Sequence, residues 1–317
     1  MKKIYIIHSL YSLLLILCNE KIKDASKIIV SKNDFSEEIL KKLKKYFEII
    51  EIYEPKNKIM KFLNYYFYLK KKLREYLAKD YEIIMSCDHR LIGQFFVKNQ
   101  KEYILYEDGI ATVLNNGITN LKLRRMLGFN IENFGRSILC KKIFLNNKNI
   151  EEEVVKKKSI QIDLKKLWKK LEDDRKNMIK DIFGIKQIFN EETYLLLTQP
   201  LSEDKLITEV EKIVIYKRVL DRYKDKKIII KVHPREKTKY SLYFPECIIL
   251  EEKYPLELLL LNGLKIKKII TLFSTAVFAV EKDTEIDFYG TRVHPKLLEK
   301  WGDSDLIMKA NAFLEEE

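Results

Sequence analysis

The feature that most constrains this chain is an alternation. Short apolar runs, each ending in polar residues, are separated by longer amphipathic stretches. In the first half the runs are Ile4–His8, Lys27–Val30, Phe47–Tyr53, Ile83–Ser86 and Tyr103–Tyr106, with helical patterns such as Ser36–Tyr46 and Lys58–Lys79 between them. Runs that are apolar on both faces are strands of a parallel sheet covered by helices on both sides. Ser36 followed by Glu37 and Glu38 marks a helix start, with acids near the positive end of the helix dipole. Residues from Glu151 to about Ile188 are Lys/Glu-rich and read as helix. The strand pattern then resumes at Tyr194–Thr198, Lys227–Val232, Cys247–Leu250, Lys268–Leu272 and Glu285–Tyr289, with helices at Ser202–Tyr223 and Pro255–Leu261. The expected architecture is α/β with two domains, 1–190 and 191–317, joined near Phe189–Thr193. The last segment, Pro295–Glu317, reads as a helix able to pack back on the first domain. With nine Gly and six Pro in 317 residues and no internal repeat, long disordered linkers are not expected.

Lys2 and Lys3 precede an apolar stretch, Ile4 to Cys18, which has the look of a signal peptide. No small-residue cleavage site follows, and His8, Ser9 and Ser12 interrupt it. A buried strand over Lys3–His8 and a helix from about Tyr11 fit better. Cys18, Cys87, Cys140 and Cys247 lie far apart with no CxxC pair, which argues against a zinc site or a disulfide framework and for the cytosol. Lys and Arg number 60 against 47 Asp and Glu, a net charge of +13 that favours an anionic partner.

In an α/β sheet, ligands bind outside the carboxyl ends of the strands, so strand-end motifs carry the functional argument. Tyr106-Glu107-Asp108-Gly109 follows a strand, and either carboxylate can accept a proton from a hydroxyl; an ordinary acidic turn is the plain alternative. Lys231-Val232-His233-Pro234 follows Ile228–Ile230. Alternation puts Lys231 and His233 on one side, and Pro234 ends the strand, an arrangement suited to a phosphate. Ser274 and Thr275 stand at a strand-to-helix junction, where hydroxyls and helix amides cap a helix or hold an anion. Glu257 opens the helix before that strand and suits ribose hydroxyls or a first-turn acid. There is no GxGxxG and no GxxxxGK[ST]. Asp303-Ser304-Asp305 is read as a cap before a final helix rather than a metal motif. His8, His89, His233 and His294 form no evident cluster with the cysteines, so no metal site is expected.

Taken in order, Glu107-Asp108-Gly109, His233-Pro234 and Ser274-Thr275 resemble the bacterial sialyltransferases, and most closely glycosyltransferase family 52, the lipooligosaccharide sialyltransferases. Further likeness lies in Leu197-Thr198-Gln199-Pro200-Leu201, in Lys231 and in Glu257. It is strongest over about Tyr194–Ala279. The resemblance implies two Rossmann-like domains facing across a cleft (the GT-B type), the first on the acceptor side and the second binding the donor. It also implies a CMP-sialic acid donor, no cofactor or metal in the chemical step, and an inverting single displacement. Asp108 or Glu107 would be the base, and His233 would assist departure of CMP. Ser274 and Thr275 would bind the phosphate, Lys231 and Glu257 would hold the nucleotide with Pro234 shaping the turn, and Thr198 and Gln199 would line the site. Asp204, Glu203 and Glu211 are alternative bases. A homodimer is a further implication.

The acceptor would be a glycan or glycolipid. Lys56–Lys79 mixes basic residues with Phe62, Tyr65, Tyr66, Phe67, Tyr68 and Tyr76, and Lys122–Lys142 is a second basic stretch. Each reads either as a helix lying on an anionic membrane or as one with its aromatics in the core. A rival in the same fold transfers glucose or another sugar to lipopolysaccharide from a different nucleotide. A rival from another class is a non-catalytic nucleic-acid binder, favoured by the charge and eighteen tyrosines but lacking any known motif. An inactive membrane scaffold is a third, set aside by the acid, His and Ser-Thr set.

Overall fold

The structure is a computed structural model. It describes residues 2–22, 26–55, 60, 63–78, 81–108, 124–125, 128–129, 132–146, 152–185, 192–251, 254–274, 276–277, 280 and 284–303. The chain divides into two compact units, Met1–Ile185 and Lys186–Glu317.

The first unit runs β1 (Lys2–Ile7), α1 (Leu10–Asn19), β2 (Lys27–Ser31), α2 (Glu37–Tyr46), β3 (Ile49–Ile52), α3 (Lys70–Ala78), β4 (Tyr81–Met85), α4 (Leu91–Lys98), β5 (Tyr103–Tyr106), β6 (Cys140–Leu145), α5 (Glu153–Lys156), β7 (Ser159–Gln161), α6 (Leu164–Lys170) and α7 (Asp173–Phe183). A π-helical turn, Asn64–Leu69, leads into α3. Its sheet has the order β3-β2-β1-β4-β5-β6-β7, and every described pairing is parallel. The apolar amino-terminal run is therefore an interior strand, with Ile4, Tyr5, Ile6 and Ile7 fully buried, followed by a helix capped by Ser9. Ser36 caps α2, as its sequence indicates. Ile4, Ile6, Ile29, Met85 and Phe95 belong to one core cluster.

Two expectations for this unit are corrected. Lys122–Lys142 is not one basic helix: a turn covers 138–139, and Cys140 opens β6. The Lys/Glu-rich stretch after Glu151 is not all helix, because Ser159–Gln161 adds the seventh strand. Both strands lie toward one side of the sheet, where one face meets water. Lys141 and Lys142 are exposed there while Ile143 and Leu145 are buried, so the double apolar signature of a central strand is missing.

The second unit runs β8 (Glu192–Leu197), α8 (Glu209–Leu220), β9 (Ile228–Lys231), β10 (Ile248–Leu250), α9 (Leu256–Leu261), β11 (Lys265–Thr271), β12 (Glu285–Phe288) and α10 (Pro295–Trp301). Its parallel sheet has the order β10-β9-β8-β11-β12. Leu196, Ile215, Tyr216, Ile230 and Ile270 are among its core. The helix expected from Ser202 starts later. Residues 201–205 form turns, and Thr208 caps α8 in a capping box with Glu211. His294 caps α10 through its ring nitrogen, and that helix ends at Trp301. Residues 304–317, and with them any packing of a longer last helix, lie outside the described residues.

Candidate active site

In each sheet the strand order reverses at one place: β1 separates β2 from β4, and β8 separates β9 from β11. The crevice at the carboxyl ends of these strands is where doubly wound sheets bind ligands. Of the residues singled out from the sequence, Glu107, Asp108, Thr198, Gln199, Lys231, His233, Pro234 and Ser274 end or follow strands at these two edges.

On the second sheet, Thr198 and Gln199 follow β8, Lys231 ends β9 with His233 two residues on, and Ser274 lies three residues past the end of β11. Thr198 is buried. Its hydroxyl binds Glu236, and it accepts the N–H of His233 at 3.2 Å. Thr198 thus supports the His-Pro turn from beneath, while Gln199 is half-buried and its N–H donates to Tyr216 at 2.7 Å. His233 is half-buried and Pro234 exposed. The ring Nδ1 of His233 accepts the N–H of Arg235 at 3.2 Å. A neutral ring that accepts at Nδ1 carries its proton on Nε2. Burial lowers the imidazole to about 4, helped by the charges of Arg235 and Lys231. Lys231 is buried with its ammonium 5.3 Å from the centre of the Tyr254 ring. Glu257, on the first turn of α9, is close enough to feel that ammonium. Burial raises its carboxyl, while its own N–H and Lys231 act the other way. Ser274 donates its N–H to Thr271 at 3.1 Å and accepts that of Ala276 at 3.3 Å. Thr275 lies outside the described residues, as does Gly109 of the acidic motif.

On the first sheet, the two acids after β5 separate in role. Glu107 is buried and accepts the Tyr11 hydroxyl. Asp108 is half-buried, with one oxygen accepting the Cys87 thiol at 3.1 Å. Burial and the Asp108 charge hold that thiol protonated, well above its usual range. The loop after β4 is pressed against α4: a Cβ on Gly93 would come within 2.3 Å of the Cys87 carbonyl oxygen, so only glycine fits.

Sequence reasoning missed the companions of Asp108. His89 Nε2 lies 3.8 Å from Cys87 Sγ, a single pair two residues apart in the chain. Burial and the Arg124 charge lower His89 to about 4. His8, at the end of β1, is buried and donates Nδ1–H to Asp34 at 2.9 Å, and Arg90 bridges Asp34 at 3.1 Å and Glu54 at 3.2 Å. Burial alone would raise the Asp34 carboxyl, but His8 and Arg90 bring it below its usual value. Three buried nitrogens here, His8 Nε2, His89 Nδ1 and one Arg124 guanidinium nitrogen, meet no hydrogen-bond partner among the described residues. The available signal was Ser86-Cys87-Asp88-His89-Arg90, a polar run directly after a buried strand, the same signal that marked His233. Among the described residues, no three His, Cys, Asp or Glu side chains are grouped to hold a metal ion.

The alternative acids have structural partners. Burial works against the Glu203 charge, but the Lys237 N–H and Lys212 hold that carboxyl at about 2. The backbone and side chain of Thr208 hold Glu211 at about 2. Asp204 forms a two-point pair with Arg235, with one contact at 3.0 Å. Carboxyls held at about 2 are weak bases. Asp303 follows α10 and pairs with Arg292, and the residues after it lie outside the described residues.

An uncharacterized protein of Haemophilus influenzae is 37% identical over 242 residues, covering 75% of this chain and 76% of that one. The fold is shared with the GT-B domain of a Photobacterium damselae sialyltransferase (TM-score 0.54, 13% identity, 91% of this chain and 90% of that one). It is also shared with a 2,6-sialyltransferase of a Photobacterium species in ternary complex with the donor product CMP and the acceptor substrate lactose (TM-score 0.62, 11% identity, 98% and 75%). UDP-GlcNAc 2-epimerase of Neisseria meningitidis has the same fold (TM-score 0.52, 14% identity, 99% and 93%), so fold alone does not choose the nucleotide. Residues 18–297 match the model of glycosyltransferase family 52, and that span of the chain sets aside the nucleic-acid-binding alternative. The chain, two α/β units with a GT-B fold, belongs to glycosyltransferase family 52.

Proposed function

We propose that this glycosyltransferase moves sialic acid from CMP-sialic acid to a sugar hydroxyl, with inversion. The observation that carries the reading is the group at the switch point of the second sheet. Lys231 and a His233 with its proton on Nε2 stand at the end of β9, Ser274 follows β11 on the other side of β8, and Glu257 lies beside Lys231. Lysine, a ring N–H and a hydroxyl are the donors a phosphate monoester needs. Glu257 takes the ribose hydroxyls, and Ser274 with Thr275 takes the phosphate.

In the reaction the acceptor oxygen forms a bond to the anomeric carbon of the sialic acid. The bond from that carbon to the phosphate oxygen breaks, and CMP leaves with the electron pair. Asp108 takes the hydroxyl proton; Glu107, buried under Tyr11, is the less accessible of the two acids. His233 keeps its proton and donates an Nε2–H hydrogen bond to the departing oxygen, stabilising the charge that CMP carries away. Nitrogens of His8, His89 and Arg124 that meet no hydrogen-bond partner among the described residues suit acceptor hydroxyls. The acceptor on this reading is the terminal sugar of a lipooligosaccharide or similar surface glycan, met at an anionic membrane surface. A transferase for another sugar nucleotide is the second reading, favoured by the shared epimerase fold.

Transfer from CMP-sialic acid to lactose tests the reading. Asp108→Asn should lose roughly 10²–10⁴-fold in rate, the range for a general base, and His233→Ala roughly 10²–10³-fold, the range for one charge-stabilising hydrogen-bond donor. Full activity in both variants sinks the mechanism.

A further inference from the structure

Beside the proposed donor site, the second unit buries a polar cluster that the reaction does not use. Lys212, on α8, is fully buried, and its ammonium meets Glu203 at 3.0 Å, Glu209 at 3.2 Å and Glu236 at 3.4 Å. Each carboxylate also grips a loop. Glu203 accepts the Lys237 N–H at 2.7 Å. Glu209 accepts the Thr238 hydroxyl at 2.6 Å and the Ser202 hydroxyl at 2.5 Å. Glu236, whose side chain is wholly excluded from solvent, accepts the His233 N–H at 2.9 Å and the Thr198 hydroxyl with one oxygen. It takes the Tyr240 hydroxyl at 2.6 Å and Lys212 with the other. The loops after β8 and β9 are thus stapled to one helix and to each other.

Such a cluster is a poor way to gain stability. Taking charges from water costs about as much as their attraction returns, and apolar residues of similar size often serve as well. What a fully satisfied buried network does provide is a single geometry. Here both loops it fixes carry the residues assigned to the nucleotide, and Glu236 touches two of those residues directly.

We propose that Glu236 is a positioning residue: through the His233 N–H and the Thr198 hydroxyl it presets the His-Pro turn, so that His233 Nε2–H meets the nucleotide phosphate without rearrangement. Lys212, shared with Glu203 and Glu209, offsets part of that carboxylate's charge. The backbone bond to Glu236 fixes where the ring stands, and the Arg235 N–H on Nδ1 fixes which nitrogen donates. A preset donor spares the ordering cost that binding otherwise bears. The inference rests on the sialyltransferase reading, because it takes CMP as the ligand of this turn.

The test is a double-mutant cycle on CMP affinity, by calorimetry on the full chain, with Glu236→Gln and His233→Ala alone and together. Gln keeps the shape but cannot accept as a carboxylate does. Glu236→Gln should weaken CMP binding about tenfold in the wild-type background and have almost no effect once His233 is gone. Should Glu236→Gln fail to fold, Tyr240→Phe takes its place; it removes one of the two donors on the other oxygen of Glu236, and a smaller loss with the same dependence on His233 is expected. An equal loss with and without His233 overturns positioning in favour of a structural role, and no loss in the wild-type background overturns it outright. If the wild type ignores CMP, the sialyltransferase reading fails and takes the proposal with it, an outcome seen before any variant is compared.

Discussion

His233 is set by its surroundings rather than by its sequence neighbours alone. Partial burial and two nearby cations lower its imidazole from the ordinary 6.5 to about 4. The sign follows from linkage: the fold favours the neutral ring, so its contribution is fully present above 6.5 and is lost as pH falls through about 4. A phosphate held at Nε2–H reverses the preference, because a charged donor binds it better. The expected result is an imidazole NMR titration with its midpoint near 4 in the free protein, moving upward with CMP bound. A midpoint that stays put at saturating CMP contradicts phosphate contact. At this scale His233 and Pro234 were legible because they end a buried run. His8 was not, because its meaning comes from Asp34, brought beside it by folding. Nor were the buried roles of Glu107 and Thr198, since a motif names residue types and not the depth at which they lie.

Elements were legible where one signal sufficed. β1, β5 and β9 are apolar runs buried on both faces, and α2 announces itself with Ser36, Glu37 and Glu38. In β6 the charges of the exposed Lys141 and Lys142 concealed the strand, and β7 was concealed because it is three residues long and largely exposed at the sheet edge. The start of α8 was misplaced because Ser202, Glu203 and Asp204 imitate a helix entrance, whereas Thr208 and Glu211 form the actual capping box. The segment entering α3 bears on the membrane proposal. Phe67 is 73% exposed and Tyr68 39%, with Lys70, Lys71, Lys72 and Arg74 exposed after them. An apolar patch beside a basic run suits anionic lipid, at about 1 kcal/mol per basic residue near the surface. The protein should sediment with phosphatidylglycerol vesicles at low salt and release as salt rises. Replacing Lys70, Lys71 and Lys72 together by Glu should abolish the binding; retention by that variant, or no binding by the wild type, removes the membrane surface as partner.

At the scale of the whole molecule, two parallel α/β sheets were readable from the alternation, and family 52 from the order of three strand-end motifs. The nucleotide was not readable from the fold, because a sialyltransferase and a UDP-GlcNAc 2-epimerase share it. Among the described residues, no helix is long and apolar enough to cross a membrane. The net charge of +13 agrees with an anionic ligand but names none. Ligand linkage at the donor site makes that choice. The deciding measurement is thermal stability of the full chain with CMP, UDP and GDP in turn, in wild type and His233→Ala. A ligand at about 100 times its dissociation constant adds roughly 2.7 kcal/mol to the folded state. The account predicts that CMP alone raises the melting temperature and that His233→Ala diminishes the rise. A rise with UDP or GDP in place of CMP, or a CMP effect untouched by the loss of His233, would contradict it.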